Sequence, residues 1–326
     1  MSVSASGSGF RTEHTACSFG DGFVVECGSM RKIYSKAAHV APYNVSVLIT
    51  GESGTGKDKL AYFIHNESRM GGSFIHINCS AIPEQLFESK MFGYEQGAFT
   101  GALKGGYEGF IEQAAGGTLF LDEIGDMPLE LQSKLLTFLE HKQFVKIGGK
   151  KTLSADVRII AATNKAIKTQ IENAFFREDL YYRLSTVEIE LPPLKDRKEE
   201  IPHFINYFCK VYNNKYKKNV FFDRESIELL TAYEWFGNIR ELRHVVEKLV
   251  LLSPVPCIRP DYIYSECGIT ALKGEKIRDS LKYRLEQYEK ELIKDALQKS
   301  RTLLDAAGKL CIDLSTLTRK RRKYGI

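Results

Sequence analysis

Thr50-Gly51-Glu52-Ser53-Gly54-Thr55-Gly56-Lys57 follows the apolar, β-branched run Val45 to Ile49 and precedes a helix-like segment, Asp58 to His65. The order is strand, glycine-rich loop, helix. Glycines at 51, 54 and 56 permit the tight turn that faces successive backbone N–H groups toward phosphate oxygens at a helix N-terminus. Lys57 then reaches the outer phosphates of a nucleotide. Gly51, Glu52, Ser53, Gly54, Thr55, Gly56, Lys57 and Asp58 are the candidate nucleotide-binding residues, against the blander reading of a glycine turn. The Ser or Thr usual after this lysine is Asp58 here, so a magnesium ligand must come partly from elsewhere.

Downstream, several apolar strands end on polar residues. Phe74 to Asn78 alternates, and Asn78 fits either a cap for the next turn or a ligand-facing position at the end of a parallel strand. Gly116 to Glu123 ends in two acids. Beside a phosphate loop, that pattern places Asp122 near magnesium and leaves Glu123 to polarise the attacking water, whereas alone it would read as a helix cap. Val157 to Asn164 is a buried strand whose terminal Asn164 fits a γ-phosphate sensor, a water-orienting group or a turn former. Phe176 to Leu184 sets Arg177 and Arg183 six residues apart; they pair with local acids or, in a ring ATPase, serve a neighbour's nucleotide. Gly97-Ala98-Phe99-Thr100-Gly101-Ala102 places one phenylalanine among glycines and small residues, which reads as a hydrophobic tip for a partner or as a plug returned to the core.

Beyond Pro192-Pro193 the pattern becomes helical: Ile201 to Tyr212, Arg224 to Tyr233 and Asn238 to Leu252. Strands alternating with helices, then helices alone, give an α/β nucleotide domain followed by a small helical lid. Arg240 stands in the first turn of the last of these helices, in reach of a nucleotide, although a surface arginine is the plain alternative. The expected divisions are a disordered leader at 1–22, an α/β subdomain at 23–193, a lid at 194–267, a linker at 268–280 and a tail domain at 281–326. A helix over Phe23 to Ala41 is expected to pack ahead of the first strand.

The formal charge is +5, and the excess is local: residues 278–326 hold 13 Lys/Arg against 7 Asp/Glu. Small and apolar residues at Ala306, Ala307, Leu310, Ile312 and Leu317 have the spacing of a helix-turn-helix, with Ser315, Thr316, Thr318, Arg319 and Arg322 as candidate DNA contacts. No apolar stretch is long enough for a membrane span or a signal peptide, so no membrane partner and a cytoplasmic location are expected. The seven cysteines lack C-x-x-C or metal spacing and read as reduced thiols.

These motifs together closely resemble the sigma-54-dependent bacterial enhancer-binding proteins, from about Val25 to the C-terminus. The resemblance rests on GESGTGK, GAFTGA, GGTLFLDEIGDMP, FREDLYYRL and the W-x-G-N-I-R-E-L segment, with GAFTGA the discriminating item. It implies an AAA+ P-loop ATPase with a parallel sheet flanked by helices, a helical lid and a C-terminal Fis-type helix-turn-helix. It also implies a hexameric ring, with ATP and magnesium held by Lys57 and Asp122 and water activated by Glu123. Asn78 would couple Glu123 to the GAFTGA loop, Arg177 and Arg183 would act as trans fingers, and Arg240 as lid sensor. Phe99 and Thr100 would push on sigma-54 of the polymerase holoenzyme, while the tail binds enhancer DNA. Cys311, where the turn usually has Gly, and the charged Arg321 at an inward position depart from the tail pattern. Only about 22 residues precede the ATPase, which leads to the expectation of control by a separate regulatory protein or by expression level. Two other classes compete. One is a regulator at other promoters using the AAA+ fold for oligomerisation or ligand sensing; the other is an AAA+ remodeller whose tail binds protein.

Overall fold

The computed structural model describes residues 28–68, 71–99, 103 and 105–269, with shorter stretches at 17–19, 23–25 and between 288 and 321. In chain order the elements begin with β1 (Cys17–Phe19), β2 (Phe23–Val25), α1 (Gly28–Val40), β3 (Val47–Thr50), α2 (Lys57–Asn66) and β4 (Phe74–Asn78). Next come α3 (Glu84–Phe92), α4 (Phe110–Gln113), β5 (Thr118–Asp122), α5 (Leu129–His141), β6 (Gln143–Val145), β7 (Thr152–Ser154) and β8 (Arg158–Thr163). Then follow α6 (Ile167–Glu172), α7 (Glu178–Leu184), β9 (Val187–Glu190), α8 (Ile201–Tyr216), β10 (Phe221–Phe222), α9 (Arg224–Ala232) and α10 (Asn238–Leu252). The last are β11 (Cys257–Ile258), α11 (Pro260–Cys267) and α12 (Leu303–Lys309).

Five strands form one parallel sheet in the order β4-β5-β8-β3-β9. Strands covered on both faces read as continuous apolar runs, and the two-residue period divides them between two cores. Leu48, Leu119, Leu121, Ile159 and Ala161 join Phe87, Leu135, Phe138 and Leu180 on one face. Val47, Ile49, Phe120, Ile160 and Ala162 join Ala37, Leu60, Ala61 and Ile64 on the other. The sheet is therefore sandwiched by α3, α5 and α7 on one side and by α1 and α2 on the other. The chain leaves β3 for β4 at one end of the sheet and later returns to β8 and β9, so the strand order reverses around β3. In open parallel sheets such a switch, at the carboxyl ends of the strands, is where ligands sit.

Arg158 opens the wholly buried β8 and is itself fully buried. Its guanidinium donates to the Val40 and Ala41 carbonyls at the end of α1, where a cation complements the helix dipole. Burial pulls its pKa down to about 10.

The N-terminal segment differs from the expectation. Instead of one helix from Phe23, a short antiparallel ribbon pairs Cys17–Phe19 with Phe23–Val25, and the helix starts at Gly28. The Phe-Val-Val triplet favours an extended chain over a helical turn, and strand pairing consequently reaches back into the expected 1–22 leader. The chain divides into two compact units, residues 1–223 with 234–258, and 224–233 with 259–326. The first unit contains the sheet together with α8 and α10, while in the second α9 lies against α11.

Candidate functional site

The glycine-rich loop follows β3 with Gly51, Gly54 and Gly56 at φ of 148, 79 and 100°. A Cβ on Gly51 would stand 2.7 Å from the Leu191 carbonyl oxygen, and one on Gly54 2.5 Å from that of Gly237, so the loop must bend where only glycine fits. Lys57 is the first residue of α2 and is only 6 % exposed. Its ammonium donates to the Gly51 and Glu52 carbonyls at 2.9 and 3.2 Å and lies 3.9 Å from Glu123 Oε1. Burial lowers the Lys57 pKa, opposed by the negative charges of Glu123 and Asp122.

Two strands away, β5 ends at Asp122. Glu123 takes left-handed backbone angles, φ 52° and ψ 48°, which cost a residue with a Cβ about 1 kcal/mol or more and recur where function fixes the backbone. Asp122 Oδ1 accepts the Glu123 N–H at 3.0 Å, and Oδ2 lies 3.8 Å from His76 Nε2. Glu123 Oε2 accepts the Asn164 N–H at 3.1 Å, at the end of the intervening β8. The structure thus brings together the loop lysine, the two acids and the backbone of Asn164. Asn164's side chain is exposed, and the bond comes from its N–H. Asn78 pairs with Asp122 in the strand register, but its Oδ1 caps the following turn, accepting from Ser80 N–H and Oγ at 2.9 and 2.7 Å.

The start of α10 closes on the loop from outside. Arg240 Nη1 donates to Ser53 Oγ at 2.8 Å, and the Ile239 N–H to the Gly54 carbonyl at 3.0 Å. Three participants went unread in the sequence. Asn238 is fully buried and donates to Glu52 Oε2 and the Ser53 carbonyl. Arg197, 2 % exposed, donates to the Thr55 carbonyl at 2.7 Å and pairs with buried Glu200 at 3.2 Å. With Met30, Tyr34, Leu191, Phe204 and Ile239, Arg197 and Glu200 line a small, mainly apolar recess beside Thr55 and Gly56. The signal that could have found Arg197 and Glu200 is a charged i, i+3 pair between Leu194 and the apolar stripe of α8.

Arg177 and Arg183 are both exposed. Asp179 holds the Arg177 guanidinium through Nε and Nη2 at 3.0 and 2.7 Å and raises its pKa, while Arg183 Nη2 donates to the Leu139 carbonyl at 3.3 Å. Neither bond reaches Lys57, Asp122 or Glu123.

Beyond α3, Gly97 to Phe99 follow a neck stapled by backbone hydrogen bonds. Tyr94 exchanges backbone hydrogen bonds with Tyr107, and the Glu95 N–H donates to the Ile147 carbonyl of the β6–β7 hairpin. Phe99 is 46 % exposed and meets Tyr94 edge-on at 5.0 Å, so it is neither a core plug nor wholly free. Gly97 and Ala98 are described with it; Thr100, Gly101 and Ala102 lie outside the described residues.

A glycine-rich loop between a strand and a helix of a parallel sheet accords with the comparisons. Residues 23–190 match the sigma-54 interaction domain family, 195–279 an AAA+ ATPase lid domain and 284–324 the Fis family of bacterial regulatory proteins. The chain belongs to the sigma-54-dependent transcriptional regulators. It is 41% identical over 309 residues to regulatory protein AtoC of Escherichia coli, spanning 91% of this chain and 66% of AtoC. It is 45% identical over 239 residues to the DNA-binding transcriptional regulator NtrC of Rhizobium meliloti, spanning 73% of this chain and 49% of NtrC. An uncharacterized protein in the HyuA 5′ region of a Pseudomonas species is 43% identical over 291 residues, 87% of this chain and 98% of that protein. Among solved structures, NtrX from Brucella abortus in complex with ADP aligns with TM-score 0.70 at 32% identity, covering 93% of this chain and 70% of NtrX. The regulator thus spans about half to two thirds of AtoC and NtrC and nearly all of the Pseudomonas protein.

As a member of this family the regulator has an AAA+ domain of the ATPase type, its lid and a Fis-type DNA-binding helix-turn-helix. In that tail, Ile293, Ala306, Ala307 and Leu317 form a small buried cluster with Leu297, Leu310 and Ile312 packed against it, which follows the apolar spacing of the sequence. Thr318 is exposed, Thr316 half-buried, and Arg321 half-buried. Ser315, Arg319, Arg322 and Cys311 lie outside the described residues. Among the described residues no helix is long and apolar enough to cross a membrane.

Proposed function

We propose that the regulator is an ATP-driven activator that assembles as a ring on enhancer DNA and remodels sigma-54 polymerase from closed to open promoter complexes. The observation that carries this reading is Glu123, whose carboxylate lies between the Lys57 ammonium and the Asn164 N–H at the phosphate loop. Lys57 exchanges its carbonyl acceptors for phosphate oxygens when nucleotide enters, neutralising charge that builds during phosphoryl transfer. With Lys57 so engaged, Glu123 Oε1 is released to take a proton from water, and Oε2 stays fixed by Asn164. The Gly51–Asp58 segment cradles the phosphates, and Arg240 reports nucleotide to the lid. Arg177 and Arg183 complete a neighbour's site.

No cluster of three or more His, Cys, Asp or Glu among the described residues forms a metal cage. One or two carboxylates beside phosphate oxygens is instead the donor set that suits magnesium, and Asp122 at the end of β5 would hold it. Bound with ATP, magnesium would screen the phosphate charges.

In the output step, Gly97 to Ala102 contact sigma-54, with Phe99 and Thr100 at the tip. Asn78, one strand from Asp122, exchanges its cap on Ser80 for Glu123 in one nucleotide state and so links hydrolysis to that loop. Ser315, Thr316, Thr318, Arg319 and Arg322 face DNA. Promoter opening with purified regulator, sigma-54 holoenzyme, supercoiled template and ATP tests the proposal. Wild type opens the promoter, Lys57→Ala does not hydrolyse ATP, and Phe99→Ala hydrolyses it without opening. ATP hydrolysis by the wild type with no opening at any sigma-54 promoter would overturn the output step and leave the ATPase standing.

A further inference from the structure

We propose that Asn238 and Glu52 form a carboxamide–carboxylate latch that holds the outer rim of the phosphate loop against the first turn of α10 and thereby sets nucleotide affinity. The inference rests on the reading of that loop as the ATP site. Asn238 is a three-way junction. Its Nδ2 donates to Glu52 Oε2 at 3.0 Å and to the Ser53 carbonyl at 3.1 Å, while Oδ1 accepts the Leu194 N–H at 2.7 Å. One fully buried side chain thus ties the loop, the segment after β9 and the start of α10 together.

The position is selective for asparagine. Its φ of 54° lies in the left-handed region, which Asn and Gly tolerate better than other residues. A shorter side chain makes none of the three bonds, and an aspartate at this place presents an oxygen where Glu52 and the Ser53 carbonyl need a donor. The rim has little else to hold it from this side: Ser53 and Glu52 are exposed, and their other ties to α10 are the Arg240–Ser53 and Ile239–Gly54 bonds. A Cβ on Gly54 would stand 2.5 Å from the Gly237 carbonyl oxygen, so no side chain fits between rim and helix. Releasing the latch lets residues 52–54 splay, and the N–H groups that meet phosphate lose their common aim. Asn238 is therefore a positioning residue, acting on nucleotide through the loop, and its loss raises KM with little change in kcat.

The test is a double-variant cycle on the whole chain, read as ADP affinity with a fluorescent ADP analogue and as steady-state ATPase. N238D is expected to weaken ADP binding about tenfold and raise KM for ATP in step, with kcat changed less than threefold. E52Q, whose amide oxygen still accepts from Asn238, loses less. Combined with N238D, it offers an amide donor to the new carboxylate, and the double variant is expected to regain about threefold in affinity over N238D. A role in packing alone gives no such rescue. Should N238D fail to fold, N238G keeps the left-handed backbone without the side chain and is expected to show the same KM effect. Wild-type affinity in N238D or N238G, or a double variant no tighter than N238D, overturns the latch. If the wild type itself binds no ADP, it is the nucleotide reading that fails. The latch is then read from amide exchange at residues 52–54, faster in N238D and slowed again in the double variant if it exists, unchanged if it does not.

Discussion

Lys57 and Arg177 are both cations expected to serve one nucleotide, yet the structure treats them in opposite ways. Lys57 is 6 % exposed and bonded to the carbonyls of the phosphate loop, with Glu123 3.9 Å away, so all its partners come from its own chain. Arg177 is exposed and bonded to Asp179, two residues away on its own helix turn. A surface ion pair of this kind contributes little to stability and exchanges readily. The contrast is between a cation fixed by its own chain at the phosphate loop and one held at the surface by a single exchangeable partner, which on the proposed function serves a neighbour.

The sharpest way to break this comparison is to remove each half in turn. Lys57→Ala is expected to lower ATP turnover by about 10²–10³-fold or more, and Glu123→Gln by a similar factor while retaining nucleotide binding. Arg177→Ala and Arg183→Ala are each expected to reduce kcat by about 10³-fold where a finger acts in trans. Mixing the inactive Lys57→Ala and Arg177→Ala chains should then restore part of the activity, because some interfaces join an intact loop to an intact arginine. Absence of any recovery on mixing would place Arg177 in the same chain's site, and the comparison would collapse.

A smaller effect sharpens it. Gln132 is fully buried, donates to the Met127 and Phe175 carbonyls at 2.8 and 3.1 Å, and accepts the Arg177 N–H at 2.9 Å. It fixes where α7 begins and so where Arg177 is carried. Gln132→Leu takes the partner from the buried Met127 carbonyl and from the part-buried Phe175 carbonyl and Arg177 N–H, and is expected to cost about 1–3 kcal/mol, measured by urea denaturation. It should also lower kcat less than Arg177→Ala does, since the guanidinium remains. A variant that loses stability with unchanged turnover would show that arginine placement does not depend on this anchor.

The two halves were not equally legible in the sequence. The loop, the acid pair and the sheet rest on local signals, glycines at fixed spacing and apolar runs with polar ends, and these follow from backbone sterics and burial that act over a few residues. The helix beginning at Asn238 was legible for the same reason. What was not legible joins residues far apart in the chain. Asn238 meets Glu52, Arg197 meets Thr55, and Arg158 caps α1, each across more than a hundred positions. Residue type alone cannot name such partners, because a buried arginine or asparagine requires only that some acceptor be near. Arg158 did leave a trace, as a charge opening an otherwise apolar strand. Asn78 shows the converse: the sequence offered a cap and a site role, and the observed bond to Ser80 realises the local one.

The smallest expected effect concerns the Lys57 charge. Burial lowers its pKa, so without nucleotide it loses its proton at a lower pH than an ordinary lysine does. Phosphate favours the charged form. Nucleotide binding above the lowered pKa must therefore take up a proton, and affinity for ADP should fall by at most about tenfold per pH unit as pH rises from there. The sign for folding is opposite. A base whose folded pKa lies below its unfolded value destabilises the fold while it is charged, and the penalty fades as pH climbs through the folded pKa toward the ordinary lysine range. Lys57→Met removes the buried charge, so the nucleotide-free protein should melt at the same temperature or a few degrees higher while losing its stabilisation by ADP. A marked drop in the melting temperature of nucleotide-free Lys57→Met would mean that the ammonium's bonds to Gly51, Glu52 and Glu123 outweigh its desolvation, and that the loop is held by its lysine even before phosphate arrives.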